Sequence, residues 1–76
     1  MYVERYQRIR NLREDADLTQ VELGRLINVP QRTYAYYESG QRMVPPYVLC
    51  ALADFHHVSV DYILERTDNK TPYPKK

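Results

Sequence analysis

Residues 18–40 constrain this chain more than any other stretch, because they carry two helix starts and two helix stops in quick succession. Thr19 is a good N-cap, and with Glu22 three places on, each side chain can satisfy a backbone N–H that the first helical turn leaves unpaired. Leu18 before the cap and Leu23 at the fourth helical position form a hydrophobic staple. A helix is therefore predicted from Gln20 to Ile27. It stops there because Asn28 suits a left-handed C-terminal position and the following proline pushes Val29 out of the α region. A second helix is predicted from Pro30 to Ser39, ended by Gly40, which takes positive φ at no steric cost.

Two short helices joined by about three residues match the spacing by which a DNA-reading protein sets its second helix into the major groove. With that arrangement in view, the stretch resembles the Cro/Xre family of lambda-repressor-like DNA-binding domains. The residues that carry the resemblance are Leu18-Thr19-Gln20, the Leu23-Gly24 and Ile27-Asn28-Val29 steps, Tyr37-Glu38-Ser39-Gly40, and Val58-Ser59-Val60-Asp61. Each motif alone is weak, but their order and spacing together are specific, and the resemblance as a whole covers roughly residues 5–66. The resemblance implies an all-α, five-helix fold with a helix-turn-helix in helices 2 and 3, and a bacterial, phage or mobile-element origin.

The turn departs from the family pattern at three places: Gly24 stands where Ala is usual, Asn28 where Gly is usual, and Pro30 where Ser or Thr is usual. Asn28 tolerates the left-handed conformation. Pro30 lacks a capping hydroxyl, which typically costs ~1 kcal/mol, although its fixed φ suits a helix start. Tyr34 also replaces the usual Ile or Val, so the methyl missing at Gly24 is expected to make room for the tyrosine ring.

At 76 residues the chain is one small domain, near the size at which a single core is marginal. The lone cysteine, Cys50, excludes an internal disulfide, and no export signal or membrane-spanning run is recognisable, so a reducing cytoplasm is the expected setting and no membrane is expected as a partner. A formal net charge of +1 supplies little long-range attraction to phosphates. The distribution of charge matters more than the total: from Gln31 to Arg42 the only acid is Glu38.

A first amphipathic helix is predicted over residues 2–16, with Tyr2, Tyr6, Ile9, Leu12 and Ala16 facing inward. Arg5 and Arg8 are read as a solvated helix face. Arg13 is read differently, because the family resemblance implies that it pairs with Glu38 as a structural ion pair. Such a pair pins the first helix to the third and removes the carboxylate from the DNA side.

On a helical wheel Gln31, Arg32, Ala35 and Tyr36 share one arc of about 140°, while Pro30, Tyr34 and Tyr37 fall on the other side. The chemistry of the first arc suits base reading. Gln31 matches adenine N6/N7, Arg32 matches guanine O6/N7, and the Ala35 methyl fits a thymine methyl. Tyr36 is placed on the same side because its two tyrosine neighbours occupy the inward arc. Gln20, Thr33, Gln41 and Arg42 are expected to hold phosphates, with help from backbone N–H groups.

Pro45-Pro46 opens a fourth helix with Leu49, Leu52, Ala53 and His56 inward, and His57 ends it. Val58, Ser59 and Ile63 then give a second staple and N-cap for a fifth helix starting at Val60, with Asp61 well placed in its first turn. Residues 67–76 lack an apolar period and are read as a flexible polar tail. Cys50, Asp54 and His57 share one helix face, but zinc sites normally draw ligands from more than one element, so no metal or cofactor is expected.

The function expected from these features is a sequence-specific, double-stranded-DNA-binding transcriptional regulator that acts as a homodimer on a palindromic operator. Val60, Tyr62, Ile63 and Leu64 offer more apolar surface than one helix needs for docking, and are expected to form the dimer contact. The alternative is an antitoxin-type interaction module whose partner is a toxin protein. An enzyme is not expected, since no nucleophile with a base, paired catalytic acids or glycine-rich phosphate loop is present.

Overall fold

In the computed structural model, which describes residues 6–74, two helix starts are held by side chains that reach back to backbone N–H groups, at Thr19 and at Ser59. The described residues form five helices: α1 Gln7–Asp15, α2 Gln20–Leu26, α3 Gln31–Ser39, α4 Pro46–His56 and α5 Val60–Ile63. At the start of α2 the capping box is complete, with the Glu22 N–H donating to Thr19 Oγ1 at 3.1 Å and the Thr19 N–H donating to Glu22 Oε1 at 2.8 Å. Ser59 caps α5 in the same manner, accepting from the Tyr62 N–H at 3.0 Å.

Left-handed residues end the helices. Asn28 (φ 60°) follows α2, Gly40 (φ 82°) caps α3 and His57 (φ 57°) caps α4. Pro30, with φ −56° and ψ 144°, is the N-cap of α3 rather than its first helical residue, and it is exposed. The expectation that it packs inward with Tyr34 and Tyr37 therefore fails: ψ in the extended range holds its ring outside the helix.

The first helix is shorter than predicted. Its described part begins at Gln7, with Tyr6 as the capping residue, and the expected inward Tyr2 and the expected solvated Arg5 lie outside the described residues. Ala16 is the exposed C-cap, because the chain turns through Asp17 at φ 58° before it can add another inward residue.

One core holds the helices together. Ile9 and Leu12 from α1, Leu23 from α2, Tyr34 and Tyr37 from α3, Val48 and Leu52 from α4 and Ile63 from α5 are all buried in it. The buried hydroxyl of Tyr6 ties the α3–α4 loop to this core by accepting from the Val44 N–H at 3.1 Å. No helix of the described residues is long and apolar enough to cross a membrane.

Two expectations about packing are overturned. A Cβ on Gly24 would lie 2.5 Å from the Val29 carbonyl oxygen, so this glycine makes room for the backbone of the turn and not for the Tyr34 ring. The turn is drawn in that tightly because the Val29 N–H donates to the Gly24 carbonyl at 2.8 Å.

Arg8 is not a solvated charge. It donates to the Tyr62 carbonyl at 2.8 Å and the Thr67 carbonyl at 2.6 Å, pairs with Asp68 at 2.7 Å, and lies 4.2 Å from the Tyr62 ring centroid. Arg8 thus fastens the segment after α5, which has no regular structure but stays against the domain. The Ser59 N–H donates to the Lys70 carbonyl at 3.1 Å, and the Tyr73 hydroxyl donates to Asp61 at 2.8 Å.

Candidate nucleic-acid interface

The outward face of α3 is organised from behind by an ion pair. Arg13 reaches from α1 and donates to both oxygens of Glu38, from Nε at 2.6 Å and from Nη2 at 3.1 Å, and its Nη1 donates to the Leu18 carbonyl at 2.8 Å. Burial alone pushes the Glu38 carboxyl up, but the hydrogen bonds it accepts, those from Arg13 foremost, reverse this and hold it below the usual carboxylate range. The same contact raises the Arg13 guanidinium further. The buried Tyr34 hydroxyl, without a hydrogen-bond partner among the described residues, is pushed up by burial first and then by the neighbouring Glu38 carboxylate.

A relay of amides leads from this pair to the surface. Gln20 Nε2, at the first position of α2, donates to Glu38 Oε1 at 3.2 Å, and Gln31 Nε2, at the first position of α3, donates to Gln20 Oε1 at 3.1 Å. The Glu38 charge orients the first amide, and the first orients the second. Among the described residues Gln31 Oε1 accepts no hydrogen bond, so an acceptor and one N–H of this exposed amide stay unpaired. The sequence placed Gln20 as a phosphate contact but did not reveal this relay, which passes from α3 to α2 and back to α3 and is fixed from α1 by Arg13.

The remaining face is shallow and free of unpaired carboxylates. Gln31 and Arg32 are exposed at the start of α3, and Thr33, Ala35 and Tyr36 are half-exposed along it. Ala35 and Ser39 also border an open cleft between α1 and α3 into which Gln7, Arg10 and Gln20 project. At the far end Gln41 and Arg42 are exposed, and the Arg42 guanidinium lies 4.9 Å from the Tyr36 ring centroid. Among the described residues Arg32, Thr33 and Gln41 make no side-chain hydrogen bond.

The expected dimer surface is smaller than the sequence suggested. Ile63 is fully buried in the core and unavailable to a partner, whereas Val60, Tyr62 and Leu64 pack against that core and keep only part of their surface exposed. A helix of four residues must aim its best apolar side chain inward to close so small a domain. Leu26, Met43 and Tyr47 are more exposed and lie outside α5, while Tyr73, also well exposed, is bonded to Asp61 of that helix.

Five helices, a tight turn braced by Gly24 and a third helix presented along its outer side define an all-α helix-turn-helix domain. The helix-turn-helix family model matches residues 9–63, most of the chain, and the chain belongs to this family, in its Cro/Xre type. An uncharacterized HTH-type transcriptional regulator, YobD of Bacillus subtilis (strain 168), is 39% identical over 66 residues, covering 87% of this chain and 59% of that protein. The chain thus spans about three fifths of the length of this relative. Among solved structures, the P22 c2 repressor protein in complex with synthetic operator 9T in the presence of Tl+ matches with a TM-score of 0.74 at 26% identity, covering 80% of this chain and 92% of that one. The five-helix, lambda-repressor-like architecture expected from the sequence is the architecture of the protein.

Proposed function

We propose that this protein is a sequence-specific, double-stranded-DNA-binding transcriptional regulator without catalytic activity, which engages a palindromic operator as a homodimer. The observation that carries the reading is the Glu38–Gln20–Gln31 relay, which delivers an oriented amide to the first turn of α3 while Arg13 neutralises the only acid of that helix. An amide so held offers adenine N6 and N7 their complementary acceptor and donor, and Arg32 beside it offers a fork to guanine. The similar repressor bound to a synthetic operator and the similar B. subtilis regulator support the same reading.

In this scheme Gln31, Arg32, Ala35 and Tyr36 face base edges in the major groove. Gln20, Thr33 and Gln41 hold phosphates at the rim, Gln20 through its second amide hydrogen and its backbone N–H. Pairing of two copies brings in Val60, Tyr62 and Leu64, and because these are only partly exposed the pairing is weak off DNA and completed on it. Half-sites then lie about one helical turn apart, ~34 Å.

Selection of bound duplexes from a random DNA pool, followed by titration of the parent and Arg32→Ala proteins on a selected and a scrambled site, tests the reading. The expected outcome is a two-fold symmetric selected sequence and a loss for Arg32→Ala of ~1 to 3 kcal/mol on the selected site, with little change on the scrambled one. Equal losses on both DNAs reject the readout role of Arg32, and recovery of no sequence from the pool rejects the function.

A further inference from the structure

Arg42 was expected from the sequence to meet a phosphate, a task that needs charge but no fixed orientation. The structure sets its guanidinium over an aromatic ring. Its guanidinium carbon stands 4.9 Å from the centroid of the Tyr36 ring, and the loop that brings it there is fastened to the same residue. The N–H groups of Gln41 and Arg42 donate to the Tyr36 carbonyl at 3.0 and 3.3 Å, and the Ser39 hydroxyl donates to it at 3.1 Å. Gly40, at φ 82°, makes the reversal that allows this. Tyr36 thus anchors the loop through its backbone and seats the guanidinium on its ring.

A guanidinium lying over an aromatic ring gives up one face and keeps its in-plane N–H fork free at the edge. A fork presented in this way suits a planar acceptor pair such as guanine O6/N7 better than it suits a single oxygen. Arg42 makes no ion pair among the described residues, and Glu38, the only acid between Gln31 and Arg42, is committed to Arg13. The ring beneath Arg42 belongs to the outer arc of α3 that also carries Gln31 and Arg32, so the fork is carried on the base-reading side.

We propose that Tyr36 and Arg42 act as one reading unit, in which Arg42 is a specificity-determining residue for a guanine and Tyr36 is the positioning residue that holds its guanidinium flat. The unit reads a base pair of each half-site beyond those met by Gln31 and Arg32. This inference rests on the DNA-binding function proposed above and adds a contact to it.

The test is a titration of the full chain and of Arg42→Lys, Tyr36→Phe and Tyr36→Leu against the selected duplex and its single base-pair variants. Circular dichroism of each protein checks that its helices are intact. Arg42→Lys keeps the charge but not the fork, and is expected to lose about 5- to 150-fold of discrimination for guanine at one base pair per half-site. Tyr36→Phe keeps the ring and should retain that discrimination, whereas Tyr36→Leu should lose it at the same base pair although Arg42 is present. If Arg42→Lys retains the parent's base preferences and changes affinity for all duplexes alike, Arg42 is a phosphate contact and the proposal falls. Retention by Tyr36→Leu, or loss by Tyr36→Phe, overturns the positioning role of the ring. A parent protein that prefers no duplex refutes the DNA-binding function itself, whereas a parent preference that survives Arg42→Lys refutes this unit alone.

Discussion

Arg13 and Glu38, 25 residues apart in the chain, meet through two hydrogen bonds of 2.6 and 3.1 Å with 13% and 5% of their side-chain surfaces exposed. Their bond joins α1 to α3, and it also serves as the fixed end of the amide relay that reaches Gln31. Removing either partner leaves an uncompensated charge at a buried position. Arg13→Met or Glu38→Gln is expected to destabilise the fold by roughly 2 to 4 kcal/mol in urea unfolding, with a coupling of more than ~1 kcal/mol in the double-mutant cycle. Strictly additive losses would show that the two side chains stabilise the domain independently.

Gly24 should resist substitution by alanine. Helix propensity alone favours Gly24→Ala by ~1 kcal/mol, but the added methyl meets the Val29 carbonyl at 2.5 Å, and a backbone atom cannot swing aside as a side chain can. The turn must shift, so a net loss of about 1 to 3 kcal/mol is expected. A rise in the urea midpoint would mean that the turn relaxes freely and that the contact is not why glycine stands there.

Stability should fall from neutral toward acid pH in two stages. Burial lowers the His56 pKa below the ordinary 6.5, and its Nε2 is buried without a hydrogen-bond partner among the described residues. The unfolded chain therefore takes up a proton there first, and stability declines as pH drops below that value. Glu38, held below the ordinary 4.5, contributes stability that is present above that value and is lost as pH falls through its folded pKa. His56→Leu should flatten the dependence just below neutral pH while leaving the more acidic stage, that of Glu38, in place. An unchanged profile just below neutral pH for His56→Leu would assign the first stage to another group.

Gln20 should influence base preference through Gln31. Gln20→Ala frees the Gln31 amide from its 3.1 Å bond, so discrimination at the adenine met by Gln31 should weaken by ~0.5 to 1.5 kcal/mol, the usual worth of one hydrogen bond. A pure phosphate contact predicts another outcome, an equal loss on every duplex. Titrations of Gln20→Ala and Gln31→Ala on duplexes altered at that one base pair separate the two.

The parts of this protein that were legible in its sequence are those whose physics is local. Thr19 and Glu22 cap a helix start across three residues, Ser59 does so for α5, and Asn28, Gly40 and His57 stop helices through their own φ. Such contacts form between near neighbours whatever the rest of the chain does, so they mark the ends of α2 to α5 closely and bring out the helix-turn-helix. The outer arc of α3 follows from helical geometry in the same way.

Tertiary structure decided what depends on partners distant in sequence. Arg8 looks like a solvated charge until α5 and Thr67 are folded against it, more than 50 positions away. Ile63 looks like spare apolar surface until a four-residue helix has to close the core. The space beside Gly24 belongs to a carbonyl that a hydrogen bond across the turn pulls in, and no volume comparison with Tyr34 reveals it. The amide relay joins α2 to α3 and is fixed from α1 by Arg13, and the Arg42 guanidinium finds its ring only once Gly40 has turned the chain back. In each case residue type and helical period allow several arrangements, and the choice among them is made by side chains and carbonyls that only the folded chain brings together.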